Sequence, residues 1–265
     1  MEGMIELVDL RLDHPGGRAP LLTEANLKVT AGEIVVVVGA AGVGTSRLVA
    51  AALGEVPTTT GRIEVLGHDV GRLRRASLRL LRRKVGIVPQ DLCLLDDRTA
   101  QVNIVMPLEI DGMPRSLSLM RAAGVIARLE LQAEAEIVVD RLSQSARQRV
   151  AVARALVRKP ELLIADHPTS MQDAAGAEVV CAALGLAAKA GSACLVLSRD
   201  PMLRTIAERN GWRQVVLVAG ALRPIDEISI AAIDELLVDV ESLPVAAPAN
   251  DDNLVPFPGV TVGAL

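Results

Sequence analysis

Aromatic side chains are nearly absent from this sequence of 265 residues, which has one Trp, one Phe and no Tyr. Single-stranded nucleic acids are bound largely by stacking bases on aromatic rings, so this absence argues against such a partner. The net charge of −4 argues the same way, because no overall positive field attracts phosphate groups. We therefore predict a core of Val, Leu, Ile and Ala, and no nucleic-acid partner.

Cysteine and histidine are also scarce. The three cysteines and three histidines are scattered without the spacing of metal ligands or of a disulfide framework, which indicates buried thiols in a reducing cytoplasm. The sequence has no uninterrupted apolar stretch of about 18 residues and no N-terminal signal pattern. We therefore expect any work at a membrane to be done from its surface or through a partner.

A phosphate-loop pattern is present near the N-terminus. Residues 39–47 read GAAGVGTSR, after an apolar run that predicts a buried strand and before one that predicts a helix. The pattern expected of such a loop is G-x-x-x-x-G-K-[ST]. Gly39, Gly44 and Ser46 match it, whereas Thr45 stands at the lysine position. Backbone N–H groups of the loop can still form an anion-binding nest at the start of the helix.

Strand and helix signals alternate along most of the chain, which predicts an α/β fold with a parallel sheet. Residues 91–145 differ, because strand signals fade there and helical periodicity appears over 115–135. We predict one domain over residues 1–222 with an inserted helical subdomain at 91–145.

Two predictions concern the C-terminal end. Residues 223–242 contain an amphipathic helix candidate, ISIAAIDELLVDVE over 228–241, which is expected to dock on the core, with dimerisation as the alternative. Residues 243–265 are rich in Pro, Ala, Gly and Asn, which predicts a disordered tail.

Four further segments follow the loop in a fixed order. They are VPQD with Gln90, LSQSA over 142–146 before a helix, the apolar strand ELLIAD ending at Asp166, and CLVLSRD with Arg199. This order is similar to that of ABC-type ATPase subunits. The resemblance covers about residues 4–222.

The resemblance implies a P-loop NTPase fold, the ABC nucleotide-binding domain, with a parallel-sheet core, an N-terminal antiparallel β subdomain and a helical subdomain. Residues 94–115, LLDDRTAQVNIVMPLEIDGMPR, resemble the FtsE family of cell-division ABC ATPases, whose partner is the membrane protein FtsX. The lipoprotein-release and MacB-like transport ATPases are close relatives of that family.

The resemblance also implies a role for each site residue. ATP phosphates would be bound at Gly39, Gly42, Gly44, Thr45, Ser46 and Arg47, and Ser143 would face the nucleotide of a second subunit. Mg²⁺ would be held by Ser46, Gln90 and Asp166. The catalytic positions would be Gln90, His167 and Arg199.

Five functional features depart from the family pattern, and the signature glycines count as one of them. Thr45 replaces the loop lysine, His167 the glutamate that polarises water, and Arg199 a histidine at the γ-phosphate; residues 144–145 replace two signature glycines, and Leu12 aligns with the aromatic that stacks on adenine. Losing one charge-assisted hydrogen bond costs roughly 1.5–3 kcal/mol, and losing a positioned base costs about 10²–10⁴-fold in rate. We therefore predict weakened ATP binding and loss of efficient hydrolysis. Arg47 is not expected to replace the lysine, because it lies about 200° around the helix.

Two surface stretches have a structural and a functional interpretation. Arg75, Arg79, Arg82 and Arg83 recur at helical spacing, as on a solvated helix face or on a surface that contacts anionic headgroups. The apolar run 92–95 either faces the core or receives the coupling helix of a membrane partner.

Three functions remain open from the sequence. The first is a degenerate FtsE-like subunit, a homodimer or a heterodimer with another ABC subunit. It would lie beneath an FtsX-like transmembrane protein on the inner face of the plasma membrane and act as a scaffold or regulator. The second is a working ATPase subunit of a transporter or division complex. The third is an interaction protein with no nucleotide role.

Overall fold

A computed structural model describes residues 3–14, 20–39 and 45–228 of the chain. Gly42 and Gly44 of the phosphate loop lie outside the described residues. So do the disordered tail predicted over 243–265 and, beyond Ile228, the helix predicted over 228–241.

Within the described ranges the chain forms ten strands and seven α-helices. The strands are β1 (Gly3–Leu12), β2 (Leu22–Thr30), β3 (Ile34–Gly39), β4 (Thr60–Val65), β5 (His68–Asp69), β6 (Val85–Val88), β7 (Leu162–Asp166), β8 (Ala193–Ser198), β9 (Arg213–Val218) and β10 (Ala221–Pro224). The helices are α1 (Thr45–Ala52), α2 (Arg75–Lys84), α3 (Ala100–Ile110), α4 (Arg115–Arg128), α5 (Gln144–Leu156), α6 (Ala174–Lys189) and α7 (Pro201–Arg209).

The strands form two sheets. A four-stranded sheet has the order β2-β1-β4-β5, with antiparallel pairs throughout. A six-stranded sheet has the order β10-β9-β3-β8-β7-β6, and all its pairs are parallel except that of β10 with β9. The predicted α/β fold, with a parallel core and an N-terminal antiparallel sheet, is confirmed. The edge strand β10 was not predicted, because its four residues carry little periodicity.

Strand β3 shows how the core is divided. Its run of β-branched valines is buried on both faces, as expected of a central parallel strand. Val36 and Val38 point into a cluster with the buried faces of α3 to α7, whereas Val35 and Val37 point into a second cluster with the antiparallel sheet, α1 and α2. The six-stranded sheet is therefore covered on both faces.

Residues 91–145 contain α3 and α4, and α4 ends at Arg128 rather than near 135 as its periodicity predicted. The chain leaves the helix through Glu130, whose φ of 52° lies in the left-handed region that ends helices. Helix α3 was not predicted over 100–110, where the apolar residues are not confined to one face. The buried Asn103 side chain bonds the backbone N–H and C=O of Leu95, and so holds the preceding loop against α3.

Candidate functional site

The predicted site residues lie at one edge of the six-stranded sheet. Strands β3, β8, β7 and β6 are parallel neighbours, so their carboxyl ends meet at the same edge, where ligands bind in open α/β sheets. Gly39 ends β3 and Asp166 ends β7, while Gln90 and Arg199 follow β6 and β8. Helix α1 begins at Thr45, just past the loop that leaves β3.

The three predicted metal ligands lie together. The Ser46 hydroxyl oxygen is 3.0 Å from Asp166 Oδ2 and 3.3 Å from Gln90 Oε1. A hydroxyl has one hydrogen, so it donates to one of these acceptors at a time and keeps its lone pairs available. Hard oxygen donors of this kind suit Mg²⁺, which usually keeps waters and takes phosphate oxygens besides one or two carboxylates. The chemistry of the three side chains therefore fits a Mg²⁺–nucleotide complex.

A metal site at this position would have few protein ligands. The described ranges contain no group of three or more His, Cys, Asp and Glu side chains that could hold a metal ion. Asp166 is the carboxylate nearest to Ser46, and it is 4% exposed. A cation here would therefore need oxygens from water or from a ligand to complete its coordination.

The Asp166 carboxylate has a second contact, on its other oxygen. Its Oδ1 lies 2.9 Å from Nδ1 of His167. An ionised carboxylate only accepts hydrogen bonds, so this contact assigns the proton of the neutral ring to Nδ1 and leaves Nε2 as the acceptor. The ring is buried with 9% exposure. Sequence reasoning placed His167 beside the site but did not foresee that its ring would bond the metal-site carboxylate.

The backbone of His167 determines this orientation. Its φ of 53° is left-handed, a conformation that costs about 1–2 kcal/mol for a residue with a Cβ. Its N–H donates to the Leu197 carbonyl at 2.8 Å, and its carbonyl accepts from Gln148 Nε2 at 2.9 Å. These bonds from β8 and α5 hold the turn in a strained conformation, as is common at functional sites.

The start of α1 carries the substitution at the lysine position. Thr45 is buried with 9% exposure and Arg47 is half-buried, and among the described residues the buried Nε of Arg47 has no hydrogen-bond partner. The pKa of Asp13 is lowered mainly by its hydrogen bond with Arg11, and the positive charge of Arg47 adds the smallest of the contributions. In the described part of the chain, no hydrogen bond or ion pair joins Arg47 to Asp166 or Gln90.

The segment at 142–146, which corresponds to the family's signature and is called the signature segment below, leads into helix α5. Ser143 is exposed and caps α5 by accepting from the Ala146 N–H at 3.2 Å. Because residues 144 and 145 replace glycines, which allow a ligand to approach the backbone closely, their side chains would occupy space that a phosphate needs. Gln144 is exposed, whereas the Ser145 hydroxyl turns away to donate to Gln172 Oε1 at 2.8 Å.

Two glutamines that sequence reasoning did not single out connect this segment to the site. Gln172 Nε2 donates to the Ser145 carbonyl at 2.9 Å and to Gln148 Oε1 at 3.0 Å. Gln148 is 2% exposed and donates to the His167 carbonyl. The signal in the sequence for the role of Gln148 was an amide residue one helical turn past the signature segment. The start of α5 is thus tied through side-chain amides to the residue after the strand-end carboxylate.

Arg199 and Asp200 follow β8. Arg199 is exposed and, among the described residues, makes no hydrogen bond or ion pair, so its guanidinium is available to a ligand. Asp200 accepts from Thr169 Oγ1 at 2.5 Å and from the Met202 N–H at 2.9 Å, which leaves it a structural cap of α7.

Leu12 does not occupy a ligand-facing position. It pairs with Leu22 across the antiparallel sheet and has 0% exposure, so its side chain offers no face to a bound base. The assignment of Leu12 to the place of the stacking aromatic is therefore wrong, since strand periodicity turns it into the core. The ring beyond the end of β1 is that of His14, which is half-buried.

The loop after Gln90 is held by a half-buried arginine. Arg154 of α5 donates to the carbonyls of Leu92 at 2.6 Å and Cys93 at 2.5 Å. Burial lowers the pKa of its guanidinium. Leu92 and Leu94 pack against the core, whereas Leu95 is 44% exposed. The run 92–95 therefore has both a core-facing and an outward-facing side.

Comparison with known proteins identifies the family. The family model described as ABC transporter matches residues 22–170. The chain belongs to the ABC transporter family. The curated relatives include the cell division ATP-binding protein FtsE of Haemophilus influenzae, which is 36% identical over 170 residues, covering 64% of this ABC chain and 78% of FtsE.

Other relatives of this ABC chain are longer proteins. The methionine import ATP-binding protein MetN of Mesorhizobium japonicum is 32% identical, and the match covers 78% of this chain and 57% of MetN. The macrolide export ATP-binding/permease protein MacB of Escherichia coli K12 is 34% identical over 79% of this chain, and this chain spans 33% of MacB.

Solved structures give the same family. The dimeric structure of MJ0796, a bacterial ABC transporter cassette, matches with a TM-score of 0.75 at 27% identity. The match covers 83% of this chain and 96% of the MJ0796 chain. A dimeric post-hydrolysis state of MJ0796 bound to ADP and Pi matches equally well, with a TM-score of 0.75. The chain therefore has the ABC cassette fold. In the described ranges, none of the helices has the length and apolar character needed to cross a membrane.

Proposed function

We propose that this ABC subunit is an FtsE-like protein that binds Mg-ATP weakly and does not hydrolyse it efficiently. In this proposal it acts as a scaffold or regulator beneath an FtsX-like transmembrane protein, at the inner face of the plasma membrane. The similarity to FtsE over 78% of that protein supports the family assignment, and the replaced site residues support the loss of turnover.

The contact between His167 and Asp166 carries this proposal. A general base must reach the water that attacks the γ-phosphate. The His167 ring is buried with 9% exposure and its Nδ1 bonds Asp166 at 2.9 Å, so only Nε2 is left to reach that water. A glutamate at this position would carry its own negative charge. The imidazole is neutral or positive and has one free nitrogen.

Binding of the nucleotide is expected to be weakened rather than lost. Ser46, Gln90 and Asp166 retain the oxygen set that suits Mg²⁺, and loop N–H groups, including those of Gly39, Gly42 and Gly44, can bind phosphate oxygens. In this proposal the charge of the missing lysine is not replaced, because Thr45 is neutral and, among the described residues, no hydrogen bond or ion pair brings Arg47 to Asp166 or Gln90. The expected loss is about ten- to a hundred-fold in affinity.

The proposal includes a dimer and a membrane partner. MJ0796 is dimeric in its cassette structures, and the exposed Ser143 at the start of α5 is available to a second subunit, either a copy of this chain or another ABC subunit. The outward side of the loop after Gln90 is the proposed contact for the membrane partner, because Leu95 presents an apolar side chain there that is 44% exposed.

Calorimetric titration with Mg-ATP, together with steady-state ATPase assays, tests the site. We expect saturable binding in the high-micromolar to millimolar range and turnover at the level of buffer alone. Thr45→Lys with His167→Glu should bind more tightly and gain turnover, by about 10²–10⁴-fold if the base is the main deficiency. The matched control adds Asp166→Asn to that variant and should remove the gain.

Two results would contradict the proposal in different ways. Wild-type turnover that Asp166→Asn abolishes would identify a working ATPase subunit. Absence of binding up to several millimolar, in both the wild type and the restored variant, would leave an interaction protein without a nucleotide role.

A further inference from the structure

Helix α2 and the residues before it concentrate positive charge. Residues 72–84 contain seven of the 28 Lys and Arg residues and no Asp or Glu, in a chain of net charge −4. These seven are Arg72, Arg74, Arg75, Arg79, Arg82, Arg83 and Lys84. A helix of this length does not need this many positive charges to be soluble. The acidic partner of each cation, or its absence, therefore shows which of the seven are left to bind a ligand.

Four of these cations have acidic partners and three do not. Ion pairs join Arg72 to Asp69, Arg82 to Glu55, Arg83 to Asp111 and Lys84 to Glu161 at 3.1–4.0 Å. Arg74, Arg75 and Arg79 are exposed and, within the described ranges, their side chains have no hydrogen bond or ion pair. This surface, Arg74, Arg75 and Arg79 with the exposed Leu80, is called the α2 basic face below.

Folding alone does not favour these charges. Arg74 is the residue before the first turn of α2 and Arg75 lies in that turn, which contains no acidic residue. Cations at a helix N-terminus oppose the helix dipole by about 0.3–1 kcal/mol. The arrangement therefore weakens the helix slightly, which is consistent with a requirement for a partner outside the chain.

The α2 basic face also contains apolar surface. Leu78 and Leu81 anchor α2 in the core, but Leu80 is 64% exposed. It borders a groove of about 280 Å³ that is lined mainly by leucines, including Leu66 and Leu73. Cations around an exposed leucine match the boundary between lipid headgroups and acyl chains. Single-stranded nucleic acid would instead favour aromatic rings, which this face lacks.

Helix α2 contacts the end of α3 through a cation that lies outside the basic face. Arg83 of α2 pairs with Asp111 at 3.8 Å, directly after the end of α3, where Ile110 is 61% exposed. Helix α3 itself follows the loop after Gln90. Helix α2 is thus linked to α3, the helix that follows the loop proposed for the membrane partner.

We propose that the α2 basic face binds the anionic headgroups of a phospholipid membrane directly. The contact is electrostatic, with Leu80 at the apolar boundary, and needs neither bound nucleotide nor a protein partner. The proposed membrane contact can therefore be tested independently of the proposed ATPase deficiency.

Sedimentation with vesicles tests the proposal with the full chain. We expect binding to vesicles of phosphatidylglycerol mixed with phosphatidylcholine, no binding to phosphatidylcholine alone, and weaker binding as salt is raised. Each basic residue near an anionic surface contributes about fivefold, so R74Q/R75Q/R79Q should lower the partition coefficient about 100-fold. Leu80→Gln should lower it further without changing the salt dependence.

The matched control is R128Q/R141Q/R223Q, which removes three exposed arginines elsewhere. It makes the same change in net charge and should bind anionic vesicles like the wild type. Equal losses in both triple variants would overturn the proposal, as would wild-type binding that ignores the anionic lipid. The proposal would also be overturned if the wild type did not bind anionic vesicles but was retained on poly-glutamate, and if this retention required the three α2 arginines. That result would favour an acidic protein partner. Thermal melting of all variants confirms that each is folded.

Discussion

At the scale of single residues, the three thiols show how environment sets reactivity. Burial raises the pKa of Cys181 and of Cys194 to about 12, with a smaller contribution from nearby Glu178 and Asp200 at Cys181. Cys93 is exposed, but its Sγ lies 2.9 Å from Asp91 Oδ1, and this hydrogen bond is the main reason why its pKa is raised. A raised thiol pKa lowers the thiolate fraction at any given pH, and the thiolate is the reactive form.

We predict that iodoacetamide at mildly alkaline pH labels Cys93 of the folded protein and leaves Cys181 and Cys194 unlabelled. Cys93 should react more slowly than a free thiol. Asp91→Asn should accelerate it by removing the carboxylate that stabilises the thiol, whereas Asp97→Asn, an equal charge change without that bond, should not. Mass spectrometry of quenched time points measures the rates. Labelling of Cys181 as fast as Cys93 would contradict the burial argument.

At the scale of elements, the edge strand β6 depends on a glycine. A Cβ at Gly86 would lie 2.7 Å from the Ala155 carbonyl oxygen of α5 and 2.8 Å from Pro160. Because one of these atoms belongs to a helix backbone, it cannot move without shifting α5. The close approach of β6 to α5 positions Gln90 at the sheet edge and Arg154 over the loop that follows.

We predict that Gly86→Ala lowers the free energy of unfolding by about 1–3 kcal/mol through overpacking. The control is Gly124→Ala in α4, where a Cβ would meet nothing within 4 Å and should stabilise the helix by about 1 kcal/mol. Urea denaturation of both variants measures the two changes. A neutral Gly86→Ala would mean that β6 and α5 are not packed as closely as the structure has them.

At the scale of the whole molecule, both hydrophobic clusters meet across the six-stranded sheet. Val37 belongs to the cluster beneath the antiparallel sheet, and its neighbour Val36 to the cluster that contains Ile104 of α3. The inserted helices therefore share a core with the sheet instead of forming one of their own. Trp212, the one tryptophan of the chain, packs against this same cluster.

We predict one cooperative unfolding transition. Val37→Ala and Ile104→Ala should each shift it, by about 2 and about 3 kcal/mol, because each leaves a cavity in a fully buried site. Tryptophan fluorescence and far-ultraviolet circular dichroism should give coincident curves. If Ile104→Ala produced a separate early transition in the circular dichroism alone, residues 91–145 would be an independent folding unit.

The alternation of strand and helix signals determined the fold class, because it requires a parallel sheet. The resemblance of the sequence motifs to those of ABC ATPases predicted that Ser46, Gln90 and Asp166 meet. Although Gln90 and Asp166 lie 44 and 120 positions from Ser46, they follow or end parallel strands, whose carboxyl ends lie at one edge of the sheet. Most helix and strand positions could be predicted from local periodicity.

Only the tertiary structure decided where side chains point. The φ of 53° at His167 turns its ring onto Asp166, and the buried Gln148 bonds a carbonyl 19 residues away. Leu12 faces the core rather than a ligand, and Arg154 holds a loop that lies about 60 positions earlier. Periodicity reports which face of an element is apolar, whereas these contacts depend on backbone torsions and on packing between distant segments. The interpretation of the catalytic position as inactive rests on such a contact.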